Sequence, residues 1–228
     1  MNAARRDAPE RQHLLSRLSG HGGVLVAVAA LLVYANTLAN GFALDDVPIV
    51  QTNPNVTAAG PAGRAWTTPY WPQSNRGDRD DLLYRPLTIQ TYRWQYALGG
   101  ATAWPFHLVN LLLHAAISVG VWWLARRLGA GVAGALVAGL IFAVHPIHTD
   151  AVSNIVGRAE LLAAAGTLLA VICALTARQR AGARDNRRAI MWWVAAWAAA
   201  AAALASKENG VSALALVAFL ASGLWRPS

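Results

Sequence analysis

Phe106-His-Leu-Val-Asn-Leu-Leu-Leu-His-Ala-Ala-Ile-Ser-Val-Gly-Val-Trp-Trp-Leu124 runs without an Asp, Glu, Lys or Arg and closes on Arg126-Arg127. About 20 predominantly apolar residues are enough to cross a bilayer as a helix, so this stretch reads as a membrane span. Its polar residues are ordered. His107, Asn110, His114 and Ser118 recur at spacings of three and four, which places them on one helical face. Polar side chains inside a span turn toward a bundle or a cavity. The row therefore suits either hydrogen bonding between helices or direct participation in chemistry.

The same reading extends outward. Of 228 residues, 56% are hydrophobic and only 13% charged, against about 25% charged in a soluble domain. Further apolar stretches lie at 22–38, 132–144, 161–176, 190–205 and 211–224, giving about six transmembrane helices. The 132–144 stretch is short, and Pro146 predicts a tilt or break at its end. The predicted class is an all-α polytopic membrane protein. Residues 1–21 form a basic cytoplasmic N-terminus and residues 22–228 the membrane module. The first span is read as a signal anchor rather than a cleaved signal peptide, because it leads straight into a polar loop. No internal repeat is evident.

Charge sets the sidedness. The N-terminus, the Arg126-Arg127 turn, residues 178–188 and the C-terminus carry twelve basic and three acidic residues, net +9. The opposite side carries seven basic and eight acidic residues, net −1. By the positive-inside rule the first set is cytoplasmic. The other side then faces the periplasm of a bacterial inner membrane, or the lumen of the endoplasmic reticulum in a eukaryote. The overall charge of +8 does not indicate nucleic acid, because the basic residues lie between apolar stretches rather than on a soluble face. The single Cys173 rules out an internal disulfide and a CxxC metal site.

One long extracytoplasmic loop, 39–105, separates the first two spans. It is rich in Pro and in Trp66, Trp71, Trp94 and Trp104, which suit the headgroup layer. Residues 84–98 are expected to form an amphipathic helix lying on the membrane.

Five groups of residues could carry chemistry. Asp45-Asp46 follow the outer end of the first span. Adjacent carboxylates can have split pKa values, leaving one as a general base; they also suit a solvated turn or helix cap. Arg85, next to Pro86, could clamp a phosphate bidentately or simply snorkel. His145, His148 and Asp150, followed by Arg158 and Glu160, are metal ligands by type, could hold a phosphate, or could form a capping turn. Lys207-Glu208 reads as a self-neutralising pair closing a turn, or as Lys207 compensating phosphate charge. The fifth group is the polar row of the second span. Under the charge-derived topology, all of these except the deeper part of that row fall on one outer side.

These motifs resemble the N-terminal membrane module of the transmembrane and tetratricopeptide-repeat (TMTC-like) O-mannosyltransferase family. The resemblance rests on Tyr34-Ala-Asn-Thr-Leu-Ala-Asn-Gly-Phe-Ala-Leu-Asp-Asp46, Asn53-Pro-Asn-Val56, Tyr84-Arg-Pro-Leu-Thr88, Phe106-His-Leu-Val-Asn-Leu-Leu-Leu-His114, His145-Pro-Ile-His-Thr-Asp-Ala-Val152, Gly157-Arg-Ala-Glu-Leu-Leu162 and Ser206-Lys-Glu-Asn-Gly210. It covers roughly residues 24–216. It implies a GT-C-like fold and transfer of a sugar, mannose in eukaryotic members, from a polyprenyl-phosphate donor to a protein Ser or Thr hydroxyl. By the same resemblance Asp45 or Asp46 would be the catalytic base. Arg85, Arg158 and Lys207 would face the donor phosphate, and His145, His148, Asp150, Glu160 and Glu208 would shape the pocket. No cofactor is implied with certainty; a divalent metal is compatible. Asp150 stands where the family usually has Glu. Family members carry further spans and then tetratricopeptide repeats, so the chain is expected to be truncated at its C-terminus.

The mechanism expected is an inverting single displacement. Two readings from other classes compete with it. A non-catalytic anchor or assembly module predicts no effect of changing the aspartates, and a small transporter predicts a continuous polar path across the bilayer.

Overall fold

The computed structural model describes residues 20–72 and 83–224. Most of the basic N-terminus and the end of the chain, including Arg226, lie outside them. Among the described residues there are helices and no strands. Four helices are long and apolar enough to span a membrane: Gly20–Ala39 (α1), Ala103–Arg127 (α3), Ile155–Gly182, which is α-helical over Arg158–Gly182 (α5), and Asn186–Ser206 (α6). The chain is an integral, multi-pass membrane protein.

The other two expected spans differ in instructive ways. Val132–Val144 (α4) and Pro146–Ser153 qualify only together, as one span bent by 44°. Pro146 supplies no backbone N–H and excludes the α conformation from the residue before it. His145 accordingly stands extended at φ −67°, ψ 128°. The last helix, Val211–Ala221 (α7), stops short of residue 224 because the chain turns at Gly223, whose φ is +75°. In contrast, α5 runs past its predicted end, carrying Arg178 and Arg180, whose aliphatic stems extend an apolar helix toward a charged surface.

Helix packing follows from small side chains. Ala170, Cys173 and Ala174 of α5 meet Ala196, Ala199, Ala200 and Ala203 of α6, all buried. Small residues let backbones approach where lipid provides no hydrophobic drive. At Gly166 a Cβ would stand 2.9 Å from the Ala203 methyl and 3.0 Å from the Ala199 carbonyl oxygen.

The long loop is largely built from short helical turns, Val47–Gln51, Pro54–Thr57 and Ala62–Trp66, followed by Pro86–Gly99 (α2). The expected interfacial helix is thus α2, but one face is core rather than membrane surface. Ile89 and Tyr92 are fully buried. Arg93 donates to the Asn55 carbonyl at 2.6 Å and Thr88 to the Ser206 carbonyl at 2.9 Å. Trp94 and Leu98 stand exposed, as headgroup-layer residues should.

The polar row of α3 has a structural task. Breaking α4 and the segment before α5 frees backbone carbonyls, which an apolar surrounding does not tolerate. His114 Nε2 meets the Ala143 carbonyl at 3.0 Å, so that nitrogen carries the proton. Asn110 Nδ2 donates to the carbonyls of Asn154 and Ile155 at 2.9 and 3.2 Å. Ser118 donates to His114 of its own helix. Of the two readings open at the sequence level, this is interhelical hydrogen bonding.

Candidate active site

The outer ends of the helices enclose a polar cavity of about 310 Å³, lined by Asp45, Tyr70, Arg85, Asp150, Glu160 and Lys207 among others. Residues from four separate sequence motifs therefore face one space.

Asp45 reaches the cavity through a turn at Leu44, which is highly exposed and has φ +46°. A branched residue in the left-handed region costs about 1–2 kcal/mol, and such strain gathers at functional sites. Asp46 behaves differently from its neighbour. It is 1% exposed and does not line the cavity. One carboxylate oxygen accepts the Val156 N–H at 2.9 Å and the other the Ala43 N–H at 3.3 Å. Burial pushes the Asp46 carboxyl above its usual range, while these backbone donors pull it partly back. Asp46 thus pins the 43–46 turn against the 155–157 turn, and Asp45 is left facing the open space.

The cations are held ready by carboxylates. Arg85 makes a two-point contact with Glu208, Nε to Oε1 at 3.0 Å and Nη2 to Oε2 at 2.9 Å, and its guanidinium lies 4.7 Å from the Tyr70 ring centre. Burial alone would lower the Arg85 pKa, but Glu208 and Tyr70 together outweigh it and hold it raised. The buried Tyr70 hydroxyl is pushed up to about 12, although Arg85 draws it down, so Tyr70 stays neutral at physiological pH. Lys207 pairs with Glu160, whose other oxygen accepts from Asn209 at 2.9 Å. Lys207 and Glu208 therefore do not neutralise each other, as the sequence reading allowed; each reaches a different helix.

Besides Asp46, four expected site residues stand outside this cavity: Arg158, His145, His148 and Glu208. Arg158 is 1% exposed. Its Nε donates to Asn110 and its Nη2 to the Phe106 carbonyl, both at 2.9 Å, between the rings of Tyr92 and Phe106. It ties α5 to α3 beneath the site. His145 caps its own turn, accepting the Ile147 N–H at 3.2 Å. His148 packs against Phe142, with ring centres 4.3 Å apart. Glu208 acts through Arg85 rather than by lining the space. Asp150 does line it, while accepting from Asn154 at 2.6 Å. Among the described residues no three His, Cys, Asp or Glu side chains gather closely enough to hold a metal ion.

Sequence reasoning missed several contributors. Tyr70 was one aromatic among many in a Trp-rich loop. Gly157 and Gly210 close the turns before α5 and α7, and a Cβ on either would overlap a carbonyl oxygen, that of Ala151 or Ala203.

A second, apolar groove of about 570 Å³ runs between α3, α5 and α7. Ile117, Leu124, Val171 and Leu216 line its length, and Glu160 and Asn209 stand at its polar end. Glu160 belongs to both spaces.

The chain is 34% identical over 195 residues to "Protein O-mannosyl-transferase tmtc2" of Xenopus laevis, covering 86% of this chain and 23% of the relative. It is 38% identical over 192 residues to "Protein O-mannosyl-transferase Tmtc2" of Drosophila melanogaster, covering 83% and 20%. It is 32% identical over 209 residues to "Protein O-mannosyl-transferase TMTC4" of Homo sapiens, covering 86% and 28%. The chain thus spans roughly a quarter of the length of these relatives. No protein-family model matches it, and no solved structure matches it.

Proposed function

Because this chain belongs to the TMTC-like family, we propose that its outer cavity is the transfer site of a membrane glycosyltransferase. The donor is a polyprenyl-phosphate-linked sugar, mannose by family likeness, and the acceptor is a protein Ser or Thr hydroxyl. One observation carries the reading: the space containing Asp45, Arg85 and Lys207 lies next to an apolar groove between helices, with Glu160 lining both. A lipid-linked phosphate sugar needs both environments in contact, a polar one for sugar and phosphate and an apolar one for the isoprenoid chain.

Asp45 takes the proton of the acceptor hydroxyl. The freed oxygen attacks the anomeric carbon, and the bond from that carbon to the phosphate oxygen breaks on the opposite face, inverting the configuration. Arg85 and Lys207 receive the charge that develops on the departing lipid phosphate. In the absence of donor, Glu208 and Glu160 hold those two cations; a donor phosphate replaces part of that contact. Asp46 and Arg158 act as positioning residues, fixing the aspartate turn and the start of α5.

The test is a transfer assay on the purified full-length protein with a labelled polyprenyl-phosphate sugar. General-base removal typically costs about 10²–10⁴-fold, so Asp45→Asn is expected to reduce transfer by that factor with helicity unchanged. Full activity of Asp45→Asn would overturn the base assignment.

A further inference from the structure

Arg85 is held by two neighbours that touch different parts of its guanidinium. Glu208 meets the edge, through Nε and Nη2 at 3.0 and 2.9 Å. Tyr70 meets the face, with its ring centre 4.7 Å from the guanidinium carbon. The N–H donors of a planar guanidinium point outward in its own plane. An incoming anion therefore competes for the edge and leaves the face alone.

The two neighbours also differ in how firmly they are fixed. The Glu208 side chain is 48% exposed, against 14% for Arg85, and it belongs to the short turn Glu208–Gly210. Tyr70 is buried. Its N–H donates to the Leu83 carbonyl at 2.7 Å, and its carbonyl accepts from the buried Asn53 at 3.4 Å. Its ring packs into a core with Ile89 and Tyr92. Burial pushes its hydroxyl up to about 12, so Tyr70 stays neutral and sets no second anion beside Arg85.

Face and edge contacts vary independently elsewhere in the chain. At the inner end of the bundle Arg127 lines a cavity of about 710 Å³. It lies 5.0 Å from the centre of the Trp123 ring, while its Nη2 donates to the Gln179 side-chain oxygen at 2.9 Å. Arg158 lies 4.8 Å from the Tyr92 ring centre, with the Asn110 side-chain oxygen and the Phe106 carbonyl at its edge. An aromatic face thus accompanies a carboxylate, an amide or a carbonyl at the edge.

We propose that Tyr70 is a positioning residue for the donor phosphate: its ring keeps Arg85 aimed at the cavity while the guanidinium edge exchanges Glu208 for phosphate. The inference rests on the transfer-site reading above. Without the ring, release of Glu208 frees a long side chain, and binding then includes the unfavourable step of ordering it. Once phosphate is bound, that contact holds Arg85 and the chemical step proceeds as before.

The test uses the full chain in neutral detergent, with undecaprenyl phosphate as binding probe and the labelled polyprenyl-phosphate sugar as substrate. Ordering one long side chain weakens binding by about 3- to 10-fold. Tyr70→Leu should raise both the Kd for undecaprenyl phosphate and the donor KM by that factor, with kcat within about twofold. Tyr70→Phe, which keeps the ring, should restore most of the affinity. Arg85→Lys keeps the charge but presents no planar face, and in that background Tyr70→Leu should have no further effect on Kd. General loosening of the loop would instead lower kcat and weaken binding equally in both backgrounds, and either result would overturn the proposal. An unchanged Kd in Tyr70→Leu would overturn it while leaving the transfer-site reading intact. Failure of the wild-type chain to bind undecaprenyl phosphate would overturn both.

Discussion

Both ends of the bundle place cations around a cavity, yet Arg85 and Lys207 at one end and Arg127 at the other meet different kinds of partner. At the outer end Arg85 faces Glu208 and Lys207 faces Glu160. At the inner end Arg127 faces an amide oxygen. Carboxylate partners hold a cation in place while masking it, so an incoming phosphate exchanges one anion for another and the charge balance of the site changes little. Neutral partners orient a cation but leave its field open, which suits a lasting contact with an anionic surface.

The largest effect that would sharpen this contrast is on transfer itself. Removing one preorganised charge from a developing phosphate anion costs about 10²–10³-fold. Arg85→Gln is expected to lower transfer by that amount. Arg188→Gln, an exposed inner-end change that loses only an i,i+3 pair with Asp185, should leave transfer within about twofold. Equal losses in the two variants, measured in the same assay, would dissolve the distinction between the ends.

A smaller effect probes how the outer end is held. Asn110→Leu removes the acceptor of the buried Arg158 Nε and the donor to the Asn154 and Ile155 carbonyls. Stripping partners from a buried charge and two carbonyls should cost about 2–4 kcal/mol in unfolding free energy, read by denaturant titration in detergent. A cost near zero would mean that α5 is fixed to α3 by other contacts.

The smallest is a slope with pH. Asp46 is raised above its ordinary range by burial, so the folded chain holds that proton more tightly than the unfolded chain. Between the ordinary carboxylate value, about 3.9, and the raised one, stability must fall as pH rises, because ionised Asp46 is the penalised form. Above the raised value the penalty is fully present. Asp46→Asn should flatten the thermal midpoint across that window. An unchanged slope would assign it to another group.

Much of this was legible in the sequence, for a physical reason: a bilayer imposes length and apolarity on each span, and both are one-dimensional. The span of α3 needed no partner to be recognised. The break at Pro146 followed from the missing N–H. What stayed hidden depended on contacts distant in sequence. Asp45 and Asp46 are equivalent by composition; they part only because Val156, 110 residues from Asp46, offers an N–H to one of them. Arg158 has the residue type of a phosphate ligand, but Asn110 and the Phe106 carbonyl draw it inward. The Lys207-Glu208 dipeptide looked self-contained because Glu160 and Arg85 are its neighbours only in the fold.

The two nested turns at Gly157 and Gly210 have a consequence for how such a site can vary. Each lets a backbone rest directly on another, Gly157 on Ala151 and Gly210 on Ala203, so no atom's width separates the cavity rim from its supports. Any bulk added there would lever the starts of α5 and α7 apart and open the junction between polar space and apolar groove. Under the proposed reading, adaptation to a differently sized sugar has to proceed through side chains that line the cavity, such as Tyr70 and Trp71, while the two glycines stay fixed.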